Sequence, residues 1–340
     1  TGVRVGHASL SAGEGSLIPG QCPVRTGVTV ILPHGGNLFR EKVPAAVFTI
    51  NGYGKAVGFE QVRELGCLES PIALTNTLNV GKVLDALVVD AIRRNPAIGI
   101  QASTVNVVVG ETNDGWLNDI QGRHVQAEQV WAALESASVN PPELGSVGAG
   151  MGTICYGWKG GIGSASRQVV LDESSFTLGA LVQTNFGRRG DLVILGVPVG
   201  KKLAEADLAS EQLEKGSVMI VLATDAPLDP HSLERLARRA APGLARTGTH
   251  LGGQSGDFVI AFSTANRIEA FDPGLSTLNL LAYPPARLLD RMFQAVIECV
   301  EEAVLDSLFC AETVVGRDGH IAHALPVDPV LTWLKDRKNI

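Results

Sequence analysis

The chain has 340 residues, with 28 Lys and Arg against 35 Asp and Glu, and a formal net charge of −7. Hydrophobic residues make up 45% and charged residues only 19%, so the chain can bury a large core and is not intrinsically disordered. Its acidity, without a Lys/Arg cluster, excludes a nucleic-acid-binding surface. No apolar run approaches the roughly 18 residues that a membrane-spanning helix needs, which excludes a membrane protein.

Short runs rich in β-branched residues predict seven strands. Most of the runs are apolar without alternation, which is typical of strands covered on both faces. In chain order the predicted strands are Val28–Leu32, Ala45–Ile50, Val105–Val109, Leu178–Thr184, Leu192–Val197, Val218–Ala223 and Phe258–Phe262.

Helical patterns lie between and after these runs. The first is Leu84–Arg94. A second runs from Pro230 through Ala240, with Asp229 as its N-cap. The third, Ala286–Leu308, repeats its apolar residues at three- and four-residue steps. Together with the strands, these helices predict layered α and β structure around central sheets. No internal repeat or linker interrupts the pattern, so we expect a single domain over 1–340.

The cysteines and histidines predict neither a disulfide framework nor a metal site. The five cysteines are odd in number, widely spaced and without a CxxC pair, which favours reduced thiols in a cytoplasmic protein. The chain opens at Thr1 without an initiator Met, so a periplasmic location stays open. The closest histidines, His320 and His323, flank an expected Asp318-Gly319 hairpin turn.

Two glycine-containing segments resemble known functional loops only superficially. Pro33-His34-Gly35-Gly36 is similar to the oxyanion turn of esterases, but no GxSxG elbow follows it. The segment Gly145–Ser166 fits neither a dinucleotide fingerprint nor a phosphate-binding loop. We expect the latter to serve close backbone packing or to line a substrate site.

Two polar residues stand at the ends of predicted strands, and each allows two interpretations. Glu111 can hold a substrate cation at the rim of a pocket, or it can be a solvated loop acid. Asn185 can donate to an oxyanion, or it can cap the turn before Gly187.

The segment Thr247–Asp257, TGTHLGGQSGD, places small, turn-forming residues before Ser255 and a buried strand. Such a turn can hold a strained peptide bond next to a nucleophile, although a plain flexible loop fits the same residues. Attack of the Ser255 hydroxyl on the preceding carbonyl would give an ester, whose hydrolysis leaves Ser255 as a new N-terminus. The freed α-amine, with a pKa of about 7.7–8.0, suits a base acting on its own hydroxyl.

Six motifs occur in order between Gly2 and about Ile321: GVRVGH, VGETNDGWLNDI, GAGMGTICYGWKGGIGSASR, LGALVQTNFG, VLATDAPL and SGDFVIAFSTAN. Together they resemble the L-aminopeptidase/D-amidase-esterase and β-peptidyl aminopeptidase family. The resemblance implies a self-cleaving N-terminal-nucleophile enzyme with a four-layer αββα sandwich. That fold is similar to the Ntn hydrolases but differs in connectivity, and is shared with ornithine acetyltransferase. It also implies an α chain 1–254, a β chain 255–340 and a tetramer of αβ units.

The resemblance assigns roles to individual residues. Ser255 matches the nucleophile and first residue of the β chain, Asn185 the oxyanion donor, and Glu111 the acid that binds the substrate's amino group. Glu312 matches a glutamate that orients the nucleophile's hydrogen-bond network. Tyr156 is expected in the pocket wall.

Three positions depart from the family pattern. Gln254 stands where Gly or Asn often precedes the nucleophile, which predicts slower or altered processing. Asn113 stands where some members have a Tyr that serves as an auxiliary oxyanion donor. Cys310 replaces a Ser that partners Glu312 in some members, and a thiol is the poorer hydrogen-bond donor.

The expected function is a serine aminopeptidase or amidase acting on small peptides, amino-acid amides or esters, with β-peptides and D-residue amides among the candidates. It would need no metal or organic cofactor and would bind neither nucleic acid nor membrane. Two alternatives stay open. One is an acyl transferase similar to ornithine acetyltransferase, which the serine disfavours because that family cleaves at Thr. The other is an unprocessed scaffold with the same fold. The preferred acyl residue and its stereochemistry are not predicted.

Overall fold

The computed structural model describes residues 2–204, 215–270, 278–281 and 283–336. Its strands are β1 Arg4–Ala12, β2 Val24–Leu32, β3 Glu41–Gly52, β4 Cys67–Leu68, β5 Ile72–Asn76, β6 Val108–Thr112, β7 Ile154–Cys155, β8 Trp158–Lys159, β9 Ile162–Leu171, β10 Ser174–Asn185, β11 Lys215–Thr224, β12 Gln254–Ser263, β13 Ile268–Glu269, β14 Val314–Val315 and β15 Ile321–Ala322. Its α-helices are α1 Phe59–Leu65, α2 Val80–Arg94, α3 Ala127–Ser136, α4 Val199–Ala204, α5 Pro230–Ala237, α6 Ala240–Arg246, α7 Ala286–Phe309 and α8 Val327–Asp336.

The strands form two main sheets. The smaller sheet has the order β1-β2-β5-β6, and the larger has the order β13-β3-β12-β11-β10-β9 with β4 beside β3. Neighbouring strands are antiparallel except for β5 with β6 and β11 with β12, which are parallel. The parallel pairs need crossover connections, and these carry helices onto the outer faces of the sheets.

Three apolar clusters lie between the layers and define a four-layer αββα sandwich. One fills the space between the two sheets, one lies between the smaller sheet and α2 and α3, and one lies between the larger sheet and α5, α6 and α7. β12 illustrates why the strand sequences are apolar throughout. Phe258 and Ile260 face the other sheet, whereas Val259 and Ala261 face the helices. The predicted sandwich is therefore confirmed.

Most of the predicted elements occur in the structure, with three differences. Residues Leu192–Val197 form no strand, because Ile194 and Val197 exchange backbone hydrogen bonds of 2.9 Å across a tight turn. The run predicted at Val105–Val109 becomes β6 only from its last two residues onward. The helix predicted from Pro230 to Ala240 is split into α5 and α6, although Asp229 does cap α5 by accepting from the amide of Ser232 at 2.8 Å.

The glycine-rich segment serves close backbone packing, as predicted. A Cβ at Gly163 would lie 1.8 Å from the carbonyl oxygen of Ala303 in α7. A Cβ at Gly161 would lie 1.9 Å from the carbonyl oxygen of Gly145. Gly163 allows α7 to lie directly against β9, and Gly161 allows the segment around Gly145 to approach closely. The predicted Asp318-Gly319 turn is also present, between β14 and β15.

Candidate active site

Polar residues from both sheets meet at one end of the sandwich, where β3 and β10 end and β11 and β12 begin. The strand registers pair Ser255 with Gly216 and Asn185 with Ser217. β6 of the smaller sheet ends beside them, since the backbone amide of Asn113 donates to Oγ of Ser217 at 3.3 Å. Residues far apart in the chain are therefore brought to one place by strand register.

Ser255 is the second residue of β12, and 3% of its surface is exposed. Its hydroxyl donates a hydrogen bond of 2.5 Å to Oδ1 of Asp257. Side chains two residues apart in a strand share a face, so the sequence Ser-Gly-Asp sets the hydroxyl beside the carboxylate. Gly256 between them permits a close approach of another segment, because a Cβ there would lie 2.7 Å from the carbonyl oxygen of Tyr53.

A hydrogen-bonded turn leads into Ser255. The Ser255 amide donates to the carbonyl oxygen of Gly252 at 3.0 Å, while Gly253 and Gln254 are exposed. Leu251 at the start of the turn has φ of 58°, a left-handed conformation that costs a residue with a Cβ about 1–2 kcal/mol. The bond between Gln254 and Ser255 thus joins an exposed residue to a buried one.

The side chain of Asn51, the penultimate residue of β3, holds this turn and the carboxylate together. Its Nδ2 atom lies 3.0 Å from the carbonyl oxygen of Leu251, 3.3 Å from that of Gly252 and 3.0 Å from Oδ2 of Asp257. Sequence reasoning missed both Asn51 and Asp257. The i, i+2 spacing from Ser255 is a signal that points to Asp257, whereas nothing local in the sequence points to Asn51.

Asn185 presents its amide toward the same region. Its Oδ1 accepts from the backbone amide of Ile154 at 3.1 Å, and its Nδ2 lies 3.5 Å from Oγ of Ser217. The first bond orients the amide, and the second is long and weak. The NH₂ group is therefore held in place without a strong partner within the described part of the chain. The cap that Asn185 supplies is for Ile154 in β7, rather than for the turn at Gly187.

Glu111 is buried, so the interpretation as a solvated loop acid is wrong. It is 3% exposed. Its Oε1 accepts from the backbone amide of Lys55 at 2.9 Å, and its Oε2 accepts from the hydroxyl of Thr77. Gly54 lies between this carboxylate and β12, since a Cβ there would be 3.1 Å from Oε1 and 3.3 Å from Cα of Gly256. Glu111 therefore lies close to the residue that follows Ser255.

The other two residues expected to bind substrate occupy different surroundings. Asn113 is exposed, and its Oδ1 accepts from the amide of Gly115 at 2.9 Å. Its side chain therefore caps its own turn, and only its backbone contacts the site through Ser217. Tyr156 is fully buried, and its hydroxyl lies 2.7 Å from Oγ1 of Thr247. It packs behind the end of β10, with its ring edge-to-face against Phe186.

Cys310 and Glu312 lie just beyond the C-terminus of α7, where both are exposed. The Glu312 amide donates to Oγ of Ser146 at 3.3 Å. Burial and the charge of Asp306 raise the pKa of the Cys310 thiol, which keeps it neutral. Within the described ranges, no side-chain hydrogen bond joins either residue to Ser255, so their role in orienting the nucleophile stays a prediction.

A buried lysine supports the segment that holds Asn185. Lys159 is completely buried, and its Nζ donates to the carbonyl oxygens of Gly150 and Gly160 at 2.8 and 2.6 Å. These bonds fix both ends of the segment that contains Ile154. Burial lowers the pKa of Lys159 to about 7, and burial raises the pKa of nearby Asp114 to about 7.

A concave region lies away from these residues, with none of them in its lining. A cavity of about 650 Å³ opens at the other end of β11 and β12, where Thr224 and Thr264 line it.

Within the part of the chain that the structure describes, no group of three or more His, Cys, Asp or Glu side chains could hold a metal ion. Among the same residues, no helix is long and apolar enough to cross a membrane. The five cysteines are not joined by disulfides.

Comparisons with known proteins show the family of the chain and the similarity of its fold to solved structures. Residues 1–322 match the model of peptidase family S58. The beta-peptidyl aminopeptidase BapA of Sphingosinicella microcystinivorans is 40% identical over 100% of this chain and 87% of its own. The PH0078 protein of Pyrococcus horikoshii OT3 is 47% identical, with a TM-score of 0.93 over 99% of this chain and 92% of its own. The L-aminopeptidase D-Ala-esterase/amidase of Ochrobactrum anthropi, described as a prototype serine aminopeptidase with a variant of the Ntn hydrolase fold, is 37% identical. Its TM-score is 0.90, over 99% of this chain and 93% of its own.

Proposed function

The chain belongs to peptidase family S58, and from that premise we propose that it cleaves itself between Gln254 and Ser255 and then acts as an N-terminal serine aminopeptidase. It is a hydrolase of the aminopeptidase class, because the family match and the aminopeptidase relatives span nearly the whole chain. The two resulting chains would be 1–254 and 255–340. The proposal assigns the reaction to Ser255, Asn185 and Glu111.

One observation carries the proposal. Ser255 lies at the start of the central strand β12, and its hydroxyl is buried and already bonded to a carboxylate at 2.5 Å. The peptide bond before it joins an exposed turn to this buried residue. A side chain held in this way is pre-organised, so little entropy is lost when it attacks a neighbouring carbonyl.

Substrate binding follows from the charge and burial of Glu111. Its carboxylate accepts two hydrogen bonds from uncharged donors, which leaves lone pairs on both oxygens for a substrate ammonium. A free amino group bound there would hold the adjacent acyl carbon near Ser255. We propose substrates with an unblocked N-terminal residue, namely short peptides, amides or esters, including β-peptides and D-residue amides.

The reaction is acyl transfer to Ser255 followed by hydrolysis. The Ser255 α-amine, freed by self-cleavage, accepts the hydroxyl proton as Oγ attacks the substrate carbonyl. The Asn185 NH₂ donates to the oxyanion of the tetrahedral intermediate. The protonated amine then gives its proton to the leaving amine, and water attacks the acyl-enzyme to release the acid and regenerate Ser255.

A denaturing gel and N-terminal sequencing test the proposal. The wild-type protein should run as two bands, and Edman degradation of the smaller chain should begin Ser-Gly-Asp-Phe-Val. Ser255→Ala should remain one chain and hydrolyse no p-nitroanilide. A folded wild-type protein that stays whole would instead favour a scaffold, and a different N-terminus would remove Ser255 as nucleophile.

A panel of substrates tests the specificity. It should pair α- with β-amino acyl p-nitroanilides, L with D residues, and free with N-acetylated amines. We propose that only unblocked substrates turn over. We also propose a tetramer of αβ units, which light scattering tests by a mass of four times the 35.7 kDa of one chain. A cytoplasmic location is a further proposal, which cell fractionation tests.

A further inference from the structure

We propose that Asp257 is the general base that starts self-cleavage, before the α-amine of Ser255 exists. The inference rests on the proposed cleavage between Gln254 and Ser255. In the intact chain the Ser255 nitrogen is an amide that donates to Gly252, and an amide nitrogen does not accept a proton near neutral pH. The first cleavage therefore needs a base that the later catalytic cycle does not.

The geometry supplies such a base. The Ser255 hydroxyl points its donor at Oδ1 of Asp257 over 2.5 Å, which is at the short end of the range for O–H···O hydrogen bonds. Asp257 is 1% exposed, so water does not screen this interaction effectively. A base within this distance of the proton that it removes meets the geometric condition for general-base catalysis.

Asn51 orients the base and holds the turn that precedes the bond to be cleaved. Its NH₂ contacts Oδ2 of Asp257, which leaves Oδ1 directed at the Ser255 hydroxyl. The same NH₂ contacts the carbonyl oxygens of Leu251 and Gly252 in the turn. Asn51 is thus a positioning residue that couples the carboxylate to the strained turn.

The cleavage step balances with these groups and water. Ser255 Oγ forms a bond to the Gln254 carbonyl carbon as its proton passes to Asp257 Oδ1. The C–N bond then breaks, and the proton on Asp257 passes to the leaving nitrogen, which becomes the α-amine. Water hydrolyses the resulting ester, so that Gln254 keeps a carboxylate and the Ser255 hydroxyl is restored.

The test follows processing of the full-length chain at pH 8.5 after pulse labelling in cell-free translation. Asp257→Asn should slow cleavage by about 100-fold or more, the usual contribution of a positioned base. Asp225→Asn is the matched control, because it removes a carboxylate from the residue after β11, where Oδ1 accepts from the Thr177 amide. That control should cleave at the wild-type rate.

A second pair of variants separates a base from a structural residue. A thiol, with a reference pKa near 8.5, ionises at this pH with far less help than a hydroxyl. Asp257→Asn should therefore slow cleavage much less in a Ser255→Cys background than in the wild type. A residue that merely supports the fold would slow both nucleophiles by the same factor.

The outcomes separate this inference from the proposed function. If Ser255→Ala stays whole, either of two results overturns the role of Asp257. In the first, Asp257→Asn is cleaved as fast as the wild type. In the second, Asp257→Asn slows cleavage by the same factor in the wild-type and Ser255→Cys backgrounds. A wild-type chain that is never processed, or a Ser255→Ala chain that is, overturns the proposed self-cleavage itself.

Discussion

Replacing Asn185 separates its two roles, which depend on different atoms of one amide. Its Oδ1 accepts from the Ile154 amide, and among the residues that the structure describes its Nδ2 contacts only Oγ of Ser217, at 3.5 Å. Asn185→Ala removes both atoms and leaves the Ile154 amide without its side-chain acceptor. That loss should lower the free energy of unfolding by about 1–3 kcal/mol. Loss of an oxyanion donor should lower kcat by about 10²–10³-fold.

Asn185→Asp isolates the catalytic role, because the carboxylate still accepts from Ile154 but offers no donor. We expect it to keep most of its stability and yet to lose at least as much kcat as Asn185→Ala, since a negative charge would face the oxyanion. KM should change little in either variant, because the donor acts on the transition state.

The assay is urea denaturation together with p-nitroanilide kinetics, corrected for the processed fraction on a gel. If self-cleavage uses the same oxyanion donor, both variants should also be processed slowly. A destabilised Asn185→Ala protein that is fully processed and fully active would refute the oxyanion role. An Asn185→Asp protein with wild-type kcat would refute it independently of stability.

Four further predictions concern charge and packing. Glu111→Gln should lower kcat/KM for free-amine substrates by about 10- to 150-fold. This fold-change is equivalent to about 1.5–3 kcal/mol, the contribution of a hydrogen bond to a charged group. Equal rates of the wild-type enzyme on free and N-acetylated substrates would contradict the role of Glu111. The pKa of Lys159 is lowered to about 7, so above pH 7 the unfolded chain binds more protons and the free energy of unfolding should rise with pH. Lys159→Met should reduce that slope between pH 8 and 10 by about 1 kcal/mol per unit. The pKa of Asp114 is raised to about 7, so its own contribution to the free energy of unfolding should instead fall as pH rises from 4 to 7, and Asp114→Asn should remove that contribution from the slope. An unchanged slope in denaturant titrations across either range would contradict the assignment. Gly163→Ala should lower Tm strongly because its Cβ would meet a backbone carbonyl oxygen of α7 at 1.8 Å, whereas Gly81→Ala, in open space on α2, should be neutral or stabilising by up to about 1 kcal/mol.

The sequence alone determined the elements whose signal is local. The three- and four-residue steps of Ala286–Leu308 predict α7 almost to the residue, and the apolar run Phe258–Phe262 predicts β12 and its cover on both faces. The order of the motifs, rather than any single residue, identified the family and with it the sandwich. The sequence predicts Asp229 as a helix N-cap because an N-cap side chain contacts backbone amides only a few residues along the chain.

Only the tertiary structure decided which polar groups meet. The pairing of Asn185 with Ser217, and the contact of Asn51 with Asp257, follow from strand register between segments distant in sequence. Nothing local distinguishes a buried Glu111 from a solvated one, since its burial depends on what the neighbouring loop covers.

The same reason explains the wrong strand at Leu192–Val197. Its side chains are apolar enough for a strand, and several of them are buried in the core, but a tight turn packs them there instead. A hydrophobic pattern predicts that a residue is buried. The residues that it packs against depend on long-range contacts, which no short window of sequence contains.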